Sequence, residues 1–188
     1  GQAYLEEFAE KVLGTEESNI KVINLSDVPS DVMPMIIAIT LKLIYRLHME
    51  QDREDMIPLN VVCDEAHIYI PSSGFGIGAS ERRLLDIFET IAKEGRKFGV
   101  SLAVASQRPS ELNKTIMAQC ANFIIMKMSN DTDKQMMKSM MPEGTRSVLD
   151  AVNLFAPGDC MIVGDCAPIT LKLKVDMPIE GKPNSNTI

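Results

Sequence analysis

Two adjacent carboxylates, Asp64 and Glu65, follow the apolar run Val61-Val62-Cys63 in "LNVVCDEAHIYIP" (59–71), and His67 stands two residues further on. An apolar strand ending in Asp-Glu suits nucleotide hydrolysis. The Asp holds a magnesium ion through a water, and the Glu orients and deprotonates the attacking water. Ligands of α/β sheets bind beyond the carboxyl ends of the strands, where this pair would stand. Successive strand residues point to opposite faces, so only at the strand end can neighbouring carboxylates approach one site. The same letters also fit a strand end without catalytic meaning. A zinc site of the HExxH type is disfavoured, because His48 and His67 do not have the spacing of a helical metal pair. His67 is open to three readings: a contact to phosphate, a contact to the next strand, or a hydrogen-bonded histidine under a loop.

A second stretch adds chemistry. "KEGRKFGVSLAVASQRPSEL" (93–112) sets a basic turn before an apolar strand and Ser106-Gln107-Arg108-Pro109 after it. Gln107 would then lie level with Glu65 on the neighbouring strand, where an amide can hydrogen-bond both a γ-phosphate and a catalytic water. Arg96 at a helix terminus is a candidate cation for transition-state charge. The competing reading is that Arg96 and Lys97 face solvent at a helix C-terminus.

The elements that must position these residues alternate. Residues 3–14 read as an amphipathic helix closed by Gly14, and "IKVINL" (20–25) as a strand. A long helix follows, capped by a Ser or Asp and apolar around most of its circumference, including "MPMIIAITLKLIYRL" (33–47). "LNVVC", "VSLAVAS" and "NFIIMKM" read as strands. Between and after them lie helices with Ser80 as one cap, "SELNKTIMAQC" as another helix, and one capped by Asn130 or Asp131. A short helix near 144–151 precedes two strands around Gly164-Asp165. This order predicts an α/β fold, a parallel sheet covered by helices with a C-terminal antiparallel hairpin.

The chain has 188 residues, 45% of them hydrophobic and 24% charged, as expected for one globular domain. A net charge of −7 disfavours nonspecific nucleic-acid binding by the whole surface, though not by a local basic patch. Cys63, Cys120, Cys160 and Cys166 form no CxxC pair, and Cys63 and Cys120 read as buried thiols, which favours a reducing, cytoplasmic setting. No signal peptide opens the chain, and the most apolar window is short for a membrane span and carries Lys42 and Arg46. The 13 methionines read as core filler, with a methionine-rich binding groove as the alternative.

"VVCDEAH", "EGRKFGVSLAVASQRPSEL" and "LFAPGDCMIVGDCAP" occur in an order and spacing that resembles HerA-type ATPases, of the HerA/FtsK group of DNA-translocating motors. The stretch from Ile20 through the long helix is similar to the elements preceding their Walker B strand, so the resemblance covers residues 15–176. DEAH-box helicases share four letters with Asp64–His67, but their later motifs are missing. The resemblance implies a RecA-like ATPase core, a partial P-loop NTPase in residues 1–176 with a polar tail in 177–188. It implies a homo-hexameric ring acting on double-stranded DNA with ATP and Mg, beside a nuclease or another effector. Asp64 would match the magnesium-side acid, Glu65 the catalytic glutamate, Gln107 the polar sensor and Arg96 the motif arginine, acting within its subunit or across an interface.

The family's phosphate loop, GxxxxGK[ST], occurs nowhere in residues 1–188. It is expected upstream, which would make this chain the C-terminal part of a larger motor, with little or no ATP hydrolysis alone. "SSGFGIGAS" (72–80) imitates a phosphate loop but lacks the lysine and follows the acid strand. It reads as a mobile loop or as a loop facing a central pore. In the second case Arg82 and Arg83 behind it are candidate DNA contacts; in the first they are solvated charges. Two alternatives to a motor stay open: a non-hydrolysing interaction module, and an ATPase of a conjugation or secretion system.

Overall fold

The computed structural model describes residues 19–52, 56–72 and 78–179. They divide into two compact units, one running to Gln107 and taking in Glu111–Ile116, the other comprising Arg108–Ser110 and the chain from Met117 onward. The expected helix at 3–14 and nearly all of the polar tail lie outside the described residues.

The first unit is built on two parallel strands, β1 (Leu59–Cys63) and β2 (Val100–Val104), with Leu59 opposite Val100 and Cys63 opposite Val104. Parallel neighbours need a crossover, and α2 (Ala79–Glu94) lies between them in the chain. It buries Leu84, Leu85, Phe88 and Ile91, one stripe at helical spacing. The preceding helix, α1 (Met33–Glu50), packs on α2 and buries Pro34, Leu41, Ile44, Tyr45 and His48. Its opposite face leaves Met35, Ile39 and Met49 about half exposed, so the helix carries apolar residues around most of its circumference but buries only one side of it. It begins at Met33, with Pro34 in its first turn and no side-chain cap from the expected Ser or Asp.

Residues 20–25, expected to form a strand, lie in no ladder among the described residues, and Ile20, Val22 and Ile23 are exposed.

The turn between α2 and β2 is steric in origin. Gly95 closes α2 where a Cβ would stand within 2.4 Å of the Val100 carbonyl oxygen. Gly99 takes φ +67, and its carbonyl accepts from Leu59 N at 2.8 Å, which starts the β1–β2 ladder. Phe98, between them, meets Tyr45 edge-on at 5.6 Å.

In the second unit β3 (Asn122–Ile125) pairs antiparallel with β4 (Asp159–Gly164), which pairs antiparallel with β5 (Leu171–Lys174). The expected closing hairpin is thus present. Helix α4 (Asp131–Met140) starts at Asn130, whose Oδ1 accepts from Thr132 N at 2.8 Å. Met136, Met137, Met141 and Met161 are buried with Leu149, Val152 and Val163, a core use of methionine and not a groove. The helix expected over 110–120 is broken into a turn at Pro109–Glu111 and the single turn α3 (Lys114–Met117). Asn113 restarts it: its Oδ1 accepts from Thr115 N at 2.9 Å and Ile116 N at 3.1 Å.

Candidate functional site

The carboxyl ends of β1 and β2 are tied to each other beyond the last paired residues. Ala105 N donates to the Cys63 carbonyl at 2.8 Å, and Ala66 N donates to the Ala105 carbonyl at 2.9 Å. Further on, Ser72 N donates to the Glu111 carbonyl at 2.6 Å and Asn113 N to the Ile70 carbonyl at 3.0 Å. Both chain exits are thereby held in one place.

Between Cys63 and Ala66 the chain turns sharply. Glu65 takes φ 46 and ψ 43, and among the described residues no other non-glycine has positive φ. Such a backbone costs a glutamate about 1 kcal/mol. Asp64 supports the turn with its own side chain, Oδ1 accepting from Glu65 N at 3.0 Å. Tyr69 supports it from below, its hydroxyl donating to the Asp64 carbonyl at 2.5 Å while its ring stacks on Phe88 at 6.2 Å. Burial, Cys63, and then the nearby Asp64 and Glu65 charges hold the Tyr69 phenol above its ordinary pKa, so it remains a donor. Burial likewise pushes the Cys63 thiol up to about 12, against a smaller opposing effect of its hydrogen bond with Tyr69. Cys63 is therefore an inert core thiol; Cys160 is also buried, Cys120 is half-buried and Cys166 exposed.

The turn aims the Glu65 carboxylate at the end of β2. Gln107 Nε2 donates to Glu65 Oε1 at 2.7 Å. His67 Nδ1 lies 3.4 Å from Glu65 Oε2 and 3.2 Å from Ser106 Oγ, so His67 bridges to the next strand. Asp64 itself is exposed at the strand end.

Four residues singled out in the sequence, Asp64, Glu65, His67 and Gln107, thus meet at one edge of the sheet. Arg96 does not join them. It is exposed in the 3-10 turn Gly95–Phe98, before the first residue of β2, whereas Gln107 follows the last. At ~3.3 Å per residue β2 alone separates the two by about 16 Å. Arg82 and Arg83 are exposed in the first turns of α2, which starts at Ala79 with Gly78 before it, so Ser80 is inside the helix and not its cap. Residues 73–77 of the glycine-bearing loop lie outside the described residues. The left-handed turn at Glu65 and the Tyr69 prop have no sequence signal, since neither residue type marks the geometry.

The donor set suits magnesium better than a protein-caged metal. Among the described residues no cluster of three or more His, Cys, Asp or Glu could hold an ion. Magnesium usually takes one or two carboxylates, with waters and substrate phosphates completing its shell, and exposed Asp64 fits that pattern. No helix among the described residues is long and apolar enough to cross a membrane.

No protein-family model matches the chain. Among curated proteins it is 30% identical over 167 residues to the DNA double-strand break repair helicase HerA of Sulfurisphaera tokodaii, a match covering 87% of this chain and 32% of that protein. A probable helicase of Methanocaldococcus jannaschii is 28% identical over 167 residues, covering 85% of this chain and 31% of that one. The chain therefore spans about a third of the length of these relatives. Among solved structures, the genome packaging NTPase B204 of Sulfolobus turreted icosahedral virus 2, in complex with AMP, superposes with a TM-score of 0.58 at 11% identity. That likeness covers 92% of this chain and 71% of the viral one. The same NTPase in complex with ATP-gammaS gives 0.57 at 10% identity, over 76% and 64% of the two chains. A parallel sheet ending in an acid pair, an antiparallel sheet after it and this likeness agree: the chain has HerA helicases among its curated homologues and a P-loop NTPase fold.

Proposed function

We propose that these residues form the hydrolytic half of an ATPase site in a longer DNA-translocating motor. The observation that carries this reading is the contact between Glu65 and Gln107 at 2.7 Å, at the carboxyl ends of adjacent parallel strands. Glu65 accepts the proton of the attacking water. Gln107 orients that water and the terminal phosphate, and exposed Asp64 holds magnesium through water. Bound magnesium supplies charge stabilisation to the phosphates. The phosphate-cradling motif GxxxxGK[ST], absent from residues 1–188, comes from another part of the protein.

Arg96 belongs to this scheme only across a subunit boundary, because it sits at the amino end of β2. That favours a ring, a homo-hexamer as in the resemblance, in which Arg96 of one copy stabilises charge at the nucleotide of the next. Arg82 and Arg83 contact phosphates of double-stranded DNA. Adding duplex DNA to the complete protein is expected to raise its ATP turnover. Arg82→Glu with Arg83→Glu is expected to lower duplex affinity and flatten its salt dependence by about one unit of slope per lost contact. A complete protein that binds duplex DNA without any hydrolysis would instead favour the interaction-module reading.

A further inference from the structure

Glu65 has two carboxylate oxygens in different situations. Oε1 accepts from Gln107 Nε2 at 2.7 Å. Oε2 is buried and reaches no donor at full hydrogen-bond geometry, with His67 Nδ1 3.4 Å away. A buried carboxylate oxygen is costly unless a donor faces it. A carboxylate oxygen can only accept, so a contact from His67 to Oε2 requires the tautomer that carries the proton on Nδ1. The His67 side chain is 16% exposed, and its turn is pinned to the end of β2 through Ala66 N on the Ala105 carbonyl, at 2.9 Å. The same Nδ1 lies 3.2 Å from Ser106 Oγ, which a proton on Nδ1 can share. The ring is thus fixed from the neighbouring strand, and in that tautomer it presents one N–H toward the oxygen that Gln107 leaves uncovered.

We propose that His67 is a positioning residue for Glu65, holding the carboxylate by Oε2 while Gln107 is drawn to the nucleotide. The proposal rests on the reading of Glu65 as the base. When Gln107 turns its amide to a phosphate and the water, Oε1 loses its donor. The carboxylate then keeps its place over the strand end through His67 and the left-handed turn, with Oε1 open to the water. His67 moves no proton in this scheme and touches no substrate.

The test is steady-state ATP hydrolysis by the complete protein with His67→Asn, His67→Gln and His67→Phe, with Glu65→Gln alongside. Asn places an amide nitrogen where Nδ1 stands; Gln places it a bond further out, and Phe keeps the ring without a donor. His67→Phe is expected to lower kcat on the order of 10²-fold, the cost of a misplaced catalytic group, with KM for ATP unchanged. His67→Asn is expected to recover most of that loss and His67→Gln little of it. Equal kcat in the Asn and Gln variants overturns the proposal even if the Phe variant does not fold. So does a Phe variant with full kcat, or one whose kcat loss is matched by a rise in KM. Turnover left intact by Glu65→Gln removes the base assignment and this proposal together. Turnover abolished by Glu65→Gln but kept by His67→Phe removes the positioning role alone.

Discussion

Glu65 carries the account at the scale of single residues, because it is costly in two ways at once. Its backbone is left-handed, and one of its oxygens is buried without a hydrogen bond at proper geometry. Local cost of this kind collects where function requires it. Asn tolerates the left-handed region better than Glu and is too short to bury a charge at the Oε2 position. Glu65→Asn is therefore expected to raise the unfolding free energy by about 1 kcal/mol, measured by urea denaturation, while removing the proposed base. A lower stability for that variant would mean that the Gln107 and His67 contacts outweigh the strain. Asp64, Glu65 and Gln107 were legible from the sequence, since an apolar run ending in acids and a second ending in Ser-Gln place those residues at matching strand ends. The turn that joins them was not. It depends on Tyr69 and Ala66 meeting atoms distant in the chain, which no local pattern encodes.

Among the elements, the β1–β2 pair is the frame, and the turn feeding it is set by close approach. A Cβ on Gly95 would stand 2.4 Å from the Val100 carbonyl oxygen, a backbone atom that cannot move without disturbing the ladder. Gly95→Ala is expected to cost about 1–3 kcal/mol despite the better helix propensity of alanine, read as a lower midpoint in thermal or urea unfolding. A neutral or stabilising result would show that the end of α2 can relax away from β2. The elements differ in how far their sequence declares them, for a physical reason. Helices α2 and α4 declare themselves through apolar spacing and, for α4, through the Asn130 cap. Residues 20–25 have β-like composition but belong to neither described sheet. The run 110–120 has helical composition, but Asn113 inside it caps a new turn.

For the molecule as a whole, pH should act through a histidine far from the acid pair in sequence. His48 is buried in α1, and burial pushes its pKa down from the ordinary 6.5, partly opposed by a hydrogen bond to the Phe98 backbone. The fold thus keeps His48 neutral, whereas the unfolded chain takes up a proton near 6.5. Stability is complete above that pH and falls as pH drops from it toward the folded value. Urea midpoints should decline between about pH 7.5 and pH 5.5, and His48→Phe should flatten that decline. An unchanged slope in that variant would assign the pH dependence to other groups. The arrangement of residues also has a consequence for assembly. With Glu65 and Gln107 at one edge of the sheet and Arg96 at the other, the role proposed for Arg96 requires a second copy. The most direct measurement of the central claim is ATP turnover by the complete protein, wild type beside Glu65→Gln. Loss of general-base catalysis predicts a fall in kcat of at least about 10²-fold with nucleotide binding retained. Equal turnover in the two proteins would contradict the assignment of this strand end as the hydrolytic half-site.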